Sequence, residues 1–353
     1  MDDIREIASE RQRVRPASRA KRLTIDPLFS GDAIDAYARW TPPACIISDG
    51  PYGLGKYPGE PKSPDGLADW YIPHAAAWAR YAEPFTTLWF WNSEIGWAKA
   101  HPALEQHGWE YEETVVWDKG VAHIAGNVNS KTIRGLPVVT ELAVRYTRRL
   151  TLRTPEGEEL PLKEWLRAEW LRSGLPLYHS NEACGVANAA TRKYLTQCHL
   201  WYFPPGEAVV RMSDWCHRHG AKTTHPYFSI DGISPPDAAS WDQLRAKWTH
   251  VHALTNVWRE PPVHGAERVR AANGHGYLHA TQKPLALMER QILASTDIGD
   301  VVWEPFGGLC SATVAAIRLG RIAYAAEQHP TYFAVASERV KKEINLQRSR
   351  HAG

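Results

Sequence analysis

The chain has 353 residues, 44% of them hydrophobic and 23% charged, enough for two modest domains or one α/β domain with a large insertion, and unlike a disordered or fibrous chain. Its 41 Lys and Arg against 39 Asp and Glu leave a formal charge of +2, which excludes a polycation of the histone kind and confines any nucleic-acid contact to a local patch. No apolar run approaches the roughly 20 residues of a bilayer span, the first residues MDDIREIASERQRVR lack a signal-peptide core, and five Cys without a CxxC pair read as thiols; the expectation is a cytoplasmic protein without a membrane partner.

From Arg11 to Arg22 there are six basic residues and no acidic one, so residues 1–22 read as a basic arm, either a phosphate-contacting tail or a solvated terminus. A helical stretch is expected near Asp32 to Trp40. The apolar run Ala44-Cys45-Ile46-Ile47 then predicts a buried strand stopping at the tight turn Ser48-Asp49-Gly50-Pro51-Tyr52-Gly53. Further strands are expected at Thr86–Trp91, Thr114–Trp117 and Val138–Val144, separated by helix-length stretches, which implies a mostly parallel sheet. With 16 Trp, 14 Tyr and 7 Phe the chain is rich in flat apolar surface, for which packing is the default use.

Between about Leu150 and His252 the strand–helix rhythm lapses into a charged, Pro-rich region that reads as an insertion. Within it, Asn181 to Leu195 resembles a helix-turn-helix, with Gly185 in the turn and Val186 packing under the second helix. Asn188, Thr191, Arg192 and Lys193 would then face DNA; a plain helical hairpin is the alternative. Cys184, Cys198, His199, Cys216, His217 and His219 fall in the same region without a short paired-ligand spacing, so no metal site is expected.

The rhythm returns near Asn256. Gly299 to Glu304 reads as a strand, Pro305-Phe306-Gly307-Gly308-Leu309 as a turn, Ser311 to Leu319 as a helix, and Ile322 to Ala326 as a strand ending at Glu327. A glycine turn between strand and helix lets a ligand approach backbone, and an acid ending the next strand can accept from ribose hydroxyls. The turn is shorter than GxGxxG, so it suits an adenosine cofactor with no phosphate.

These residues carry a resemblance. Trp303 to Arg321 resembles the S-adenosylmethionine-binding motif of amino-group DNA methyltransferases, His279 to Leu285 resembles their TQKP motif, and Ser48 to Gly53 is similar to their DPPY catalytic motif. Phe29-Ser30-Gly31-Asp32 resembles the early GD element and Asn256-Val257-Trp258 the stretch before TQKP. With the catalytic motif first and the cofactor motif last, the chain resembles the β class.

The resemblance implies a Rossmann-like methyltransferase sheet divided into a catalytic half (23–149), an inserted target-recognition region (150–254) and a cofactor-binding half (255–345). It implies S-adenosylmethionine as cofactor, held by Asp32, Thr281, Lys283, Pro284, Glu304, Phe306, Gly307, Gly308 and Glu327. The methyl group would go to an exocyclic amino group, adenine N6 or cytosine N4, of a base flipped from double-stranded DNA. Asp49 and the Gly50 carbonyl would accept the two amino hydrogens, Pro51 would stiffen the loop and Tyr52 would stack on the base. A cognate restriction endonuclease and a monomeric or homodimeric state accompany that expectation, as does association with the nucleoid of a prokaryote while acting.

Two departures stand out. Gly50 replaces the first proline of DPPY, which puts loop stiffness in question, and Cys310 replaces the glycine closing the cofactor turn, which would restrict the approach of the methionine moiety. A silent DNA-binding relative and a methyltransferase for RNA or another acceptor are the competing readings.

Overall fold

The computed structural model describes residues 27–57, 59–123, 134–250, 254–271 and 276–352; the expected basic arm at 1–22 lies outside them. The chain opens with β1 (Leu28–Ser30), β2 (Cys45–Ser48), α1 (Leu67–Tyr81), β3 (Thr87–Asn92), α2 (Glu94–Gln106), β4 (Trp109–Asp118) and β5 (Thr140–Arg148). It continues through β6 (Thr151–Arg153), β7 (Glu159–Pro161), α3 (Leu162–Arg172), α4 (His179–Cys184), α5 (Ala189–Lys193), α6 (Gly206–His219) and α7 (Ala238–Asp242). It closes with β8 (Val257–Arg259), α8 (Leu285–Ser295), β9 (Val301–Glu304), α9 (Ser311–Arg318), β10 (Ile322–Glu327) and α10 (Pro330–Ala352). No helix among the described residues is long and apolar enough to cross a membrane.

Two compact units result, residues 149–246 and the remainder. The larger is built on an eight-stranded sheet in the order β1-β10-β9-β2-β3-β5-β4-β8. Five of its seven neighbouring pairs are parallel, as expected; β5 runs antiparallel to both β3 and β4. That pair corrects the expectation of helices between all the strands. β4 starts at Trp109, five residues before the expected Thr114, because its first half, Glu110 to Glu113, is polar, and pairs at an exposed margin with Arg145 bonding Glu113 at 2.8 Å.

Side chains alternate across a strand, so each central strand feeds both faces of the sheet. Cys45, Ile47, Trp89 and Trp91 join one buried cluster with Leu287 and Ile292 of α8, the α9 alanines and Val340 of α10. Ile46, Leu88, Phe90 and Trp303 join the other, with Tyr71 and Trp78 of α1 and Leu104 of α2. The result is helices on both faces of a mostly parallel sheet, the doubly covered α/β arrangement.

The stretch Asp32–Trp40 forms two 3-10 turns, Ala33–Asp35 and Tyr37–Arg39, instead of the expected helix. Asp32 caps the first by accepting from Ile34 N–H at 3.0 Å, and each turn closes on i→i+3 bonds.

The smaller unit has its own core of Trp165, Trp170, Tyr227, Phe228 and Trp241 around Val209 and Met212. Gly185 ends α4 in the left-handed region (φ 66°), as a turn between two helices requires. Two details of the expected helix-turn-helix are corrected. Val186 is exposed instead of packed under the second helix, and Thr191 turns inward, its Oγ1 bonding Ser180, Asn181 and the Leu177 carbonyl. A five-residue α5 offers one face only, and Thr191 is on the side that closes the hairpin. Asn188, Arg192 and Lys193 are exposed. Cys184 and Cys216 are buried and Cys198 is exposed; among the described residues no group of three His, Cys, Asp or Glu could hold a metal ion.

Candidate active site

Two loops leave the carboxyl ends of neighbouring parallel strands, residues 49–53 after β2 and residues 305–310 after β9. The chain then passes from β2 to β3 on one side and from β9 to β10 on the other. That divergence is the switch point at which open α/β sheets bind ligands. A cleft of about 510 Å³ opens there, and Asp49, Gly50, Pro51 and Tyr52 line it together with Phe306, Gly307, Gly308, Glu327, Thr281 and Lys283.

Gly50 is a glycine for reasons of space. A Cβ there would stand 2.6 Å from the Tyr71 hydroxyl and 2.7 Å from the Phe306 ring, so neither proline nor alanine fits without displacement. The stiffness a proline would give is supplied next door: the Pro51 carbonyl accepts from the Tyr71 hydroxyl at 3.1 Å and from Asn92 Nδ2 at 3.0 Å. After Tyr52, the Glu60 carboxylate gathers four backbone N–H groups, those of Tyr52, Leu54, Lys56 and Tyr57, and so folds the loop upon itself.

Asp49 sits in a buried charge network. Its Oδ1 accepts from Lys283 Nζ at 2.6 Å and from the Tyr52 hydroxyl at 3.0 Å. Lys283 is 4% exposed and also reaches Glu141 Oε2 at 3.2 Å and the Tyr52 oxygen at 3.2 Å, while Lys119 holds Glu141 Oε1 at 2.5 Å. Lys283, expected to hold the cofactor, lines the cleft and ties the TQKP-like segment to the loop after β2. Burial alone would lower the Lys283 pKa, but the Asp49 and Glu141 carboxylates outweigh it and hold the ammonium charged. Glu141 is raised by burial yet kept below the usual carboxylate range by Lys283 and Lys119. Asp49 shares one ammonium, so burial prevails and its pKa rises, with Lys283 opposing and Glu141 adding to the rise.

The second loop is equally constrained. Both oxygens of Glu304 are committed to the start of α9, accepting from Ala312 N–H at 3.0 Å and from the N–H and hydroxyl of Thr313 at 2.7 and 2.6 Å. Its carboxylate thus holds the start of α9 while bordering the cleft. Glu327, at the end of β10, accepts from Gly308 and His329 N–H and faces the cleft. Cys310 adopts the left-handed conformation (φ 56°, ψ 48°) usual for glycine, and its sulfur lies in the core behind Gly307, where a Cβ would approach it to 2.9 Å. The thiol thus does not narrow the cleft, correcting that expectation. Asp32 and Pro284 do not line it either: the first caps its 3-10 turn and the second, buried, precedes the first residue of α8.

Sequence reasoning passed over Glu141, Lys119, Glu60 and Tyr71. The signal for Glu141 was a lone carboxylate inside the apolar run Val138 to Val144; a buried charge in a strand needs a partner. The cleft lining as a whole carries five carboxylates (Asp49, Glu60, Glu141, Glu304, Glu327) against two lysines (Lys56, Lys283). With Asp49 and Glu141 balanced by Lys283 and Lys119, Glu60, Glu304 and Glu327 remain against Lys56, which favours a cation over a phosphate.

Residues 185–338 match the model of a family described as DNA methylase, of N6 and N4 methyltransferases; residues 49–52 lie outside that match. The chain is 31% identical over 160 residues to the type II methyltransferase M.HpaI of Haemophilus parainfluenzae, covering 43% of this chain and 47% of that protein. It is 43% identical over 65 residues to the type II methyltransferase M2.DpnII of Streptococcus pneumoniae, covering 18% of this chain and 24% of that protein. The chain thus spans less than half the length of these curated relatives. Among solved structures, the cytosine-N4-specific PvuII DNA methyltransferase aligns with a TM-score of 0.48 at 12% identity, covering 90% of each chain.

Proposed function

We propose that this protein is a DNA methyltransferase that moves a methyl group from S-adenosylmethionine to the exocyclic amino group of adenine or cytosine. The observation that carries the reading is the junction of Asp49-Gly50-Pro51-Tyr52 and the glycine turn 305–310 at adjacent strand ends, lining one acidic cleft. The family match at 185–338 and the names of the relatives support it from the other side of the chain.

The lining fits the cofactor. A sulfonium is a cation, the cofactor has no phosphate, and the cleft offers an excess of carboxylates; Gly307, Gly308 and Phe306 would bound it, and Glu327 would accept from its ribose hydroxyls. Bound there, the cofactor supplies an electrophilic methyl group. The amino nitrogen of a nucleobase is a poor nucleophile because its lone pair is delocalised into the ring. The Asp49 carboxylate and the Gly50 carbonyl, as acceptors for its two hydrogens, localise that lone pair. Asp49, whose pKa is raised by burial, is also suited to take the proton the nitrogen sheds. One face of the Tyr52 ring has the Lys283 ammonium at 5.3 Å, so a flipped base would use the other.

In the smaller unit, exposed Asn188, Arg192 and Lys193 are candidates for contacting DNA, and target recognition is assigned to that unit under this reading. The restriction-modification setting, a partner endonuclease and double-stranded DNA as substrate belong to the same proposal.

The test is to incubate the protein with mixed-sequence duplex DNA and S-adenosylmethionine, digest to nucleosides and separate the products with mass detection. N6-methyldeoxyadenosine or N4-methyldeoxycytidine is the expected product, lost in Asp49→Ala with the fold intact. A methylated RNA or protein without either nucleoside would overturn the reading.

A further inference from the structure

The charge network around Asp49 contains more than the acceptor pair needs. An ammonium has three donors, and Lys283 has three oxygens in reach: Asp49 Oδ1 at 2.6 Å, Glu141 Oε2 at 3.2 Å and the Tyr52 oxygen at 3.2 Å. Glu141 in turn is held from the other side by Lys119 at 2.5 Å, so opposite charges alternate along Lys119, Glu141, Lys283 and Asp49. Each is carried by a different segment: the residue following β4, β5, the TQKP-like segment and the loop after β2.

We propose that Glu141 is a positioning residue for the methyl-accepting base, holding the Lys283 ammonium between two carboxylates so that Asp49 keeps acceptor capacity for the amino group. The inference rests on the methyltransferase reading above. Its physical basis is competition. In a buried site an ammonium with a single anionic partner would collapse onto it, and a carboxylate so neutralised is a weak acceptor for a second donor. Glu141 shares the ammonium. The other titratable groups facing Asp49 are the hydroxyls of Tyr52 in its own loop, Tyr57 beyond that loop and Tyr71 from α1, none of them charged at neutral pH.

Glu141→Gln removes the charge and keeps the shape. In a protein that methylates DNA, kcat should fall about tenfold or more while KM for DNA stays within about twofold, the split of a group acting in the transition state. A second readout needs no activity: the Asp49 carboxyl carbon, followed by NMR titration without DNA or cofactor. In Glu141→Gln, Asp49 should titrate about one pH unit or more below wild type, because a neighbouring negative charge is gone and Lys283 has it alone. In Lys283→Met it should titrate above wild type. Glu141→Asp should restore part of both effects. An Asp49 titration unmoved in a folded Glu141→Gln, or an unchanged kcat, overturns the role. A wild type that methylates no nucleobase overturns the methyltransferase reading and this role with it, and the titration then reports separately whether the coupling exists.

Discussion

At Gly50 a single position decides whether the loop after β2 can sit where it does. The contacts a Cβ would make, 2.6 Å to Tyr71 and 2.7 Å to Phe306, are with the ends of two rings packed in an aromatic group with Trp70 and His74. Neither ring is a flexible chain end. Gly50→Ala should therefore destabilise by about 1–3 kcal/mol, the usual cost of overpacking. In a double-mutant cycle with Phe306→Leu, which vacates part of the space, the two should couple by about 1 kcal/mol. Additive losses in urea unfolding would mean the loop moves aside freely and that crowding is not why glycine is there. The identity of Gly50 was legible in the sequence but its reason was not, because the reason lies in Phe306 and Tyr71, 256 and 21 positions away. Lys283 teaches the same lesson. Its motif was readable, whereas the destination of its ammonium depends on Glu141, brought beside it by β5.

At the scale of the element, the unit from β9 through α9 to β10 was the most legible part, since an apolar run, a glycine turn and an alanine-rich helix follow one another within 27 residues, Val301 to Glu327. The β4–β5 pair was less so, because antiparallel pairing is set by long-range register that a local pattern does not encode. What the pattern hid in the β9 unit is the use of Glu304. Its carboxylate is buried, which raises its pKa to about 7 against the three donors from Ala312 and Thr313 that pull it down. A carboxyl whose folded pKa lies above its unfolded value contributes stability that is complete below the unfolded pKa, near 4.5, and lost as pH rises through about 7. Urea unfolding of wild type and Glu304→Gln between pH 4.5 and 7.5 should show wild type's advantage shrinking with rising pH, by up to about 1.4 kcal/mol per unit. An advantage that grows with pH would mean the helix N-terminus and its hydrogen bonds dominate burial and that Glu304 acts as an ionised cap.

At the scale of the whole molecule, the tryptophans show how the chain divides. Eight of the 16 are fully buried: Trp78, Trp89, Trp91, Trp109 and Trp303 in the larger unit, and Trp165, Trp170 and Trp241 in the smaller. The smaller unit thus buries three of the largest side chains within its own boundaries. Trp165 stacks near Trp241 at 6.2 Å, and the indole N–H groups of all three donate to backbone carbonyls of that unit: Arg153, Leu175 or Pro176, and Pro204. Its one buried carboxylate, Glu169 among the described residues, is answered inside it by Arg172 at 2.6 Å and Phe228 N–H at 2.7 Å. A unit with its own aromatic core and its buried carboxylate satisfied internally meets the conditions for folding alone, and its 98 residues are above the size at which a core becomes marginal. Residues 149–246 expressed by themselves should accordingly unfold in one cooperative transition, with blue-shifted tryptophan emission and coincident fluorescence and circular dichroism curves. A gradual, non-coincident transition with red-shifted emission would show that the larger unit is needed to complete this core. Under the proposed function, a cooperative fragment would in turn allow any DNA binding by this unit to be measured apart from the cleft, which separates site reading from chemistry in a way no single substitution can.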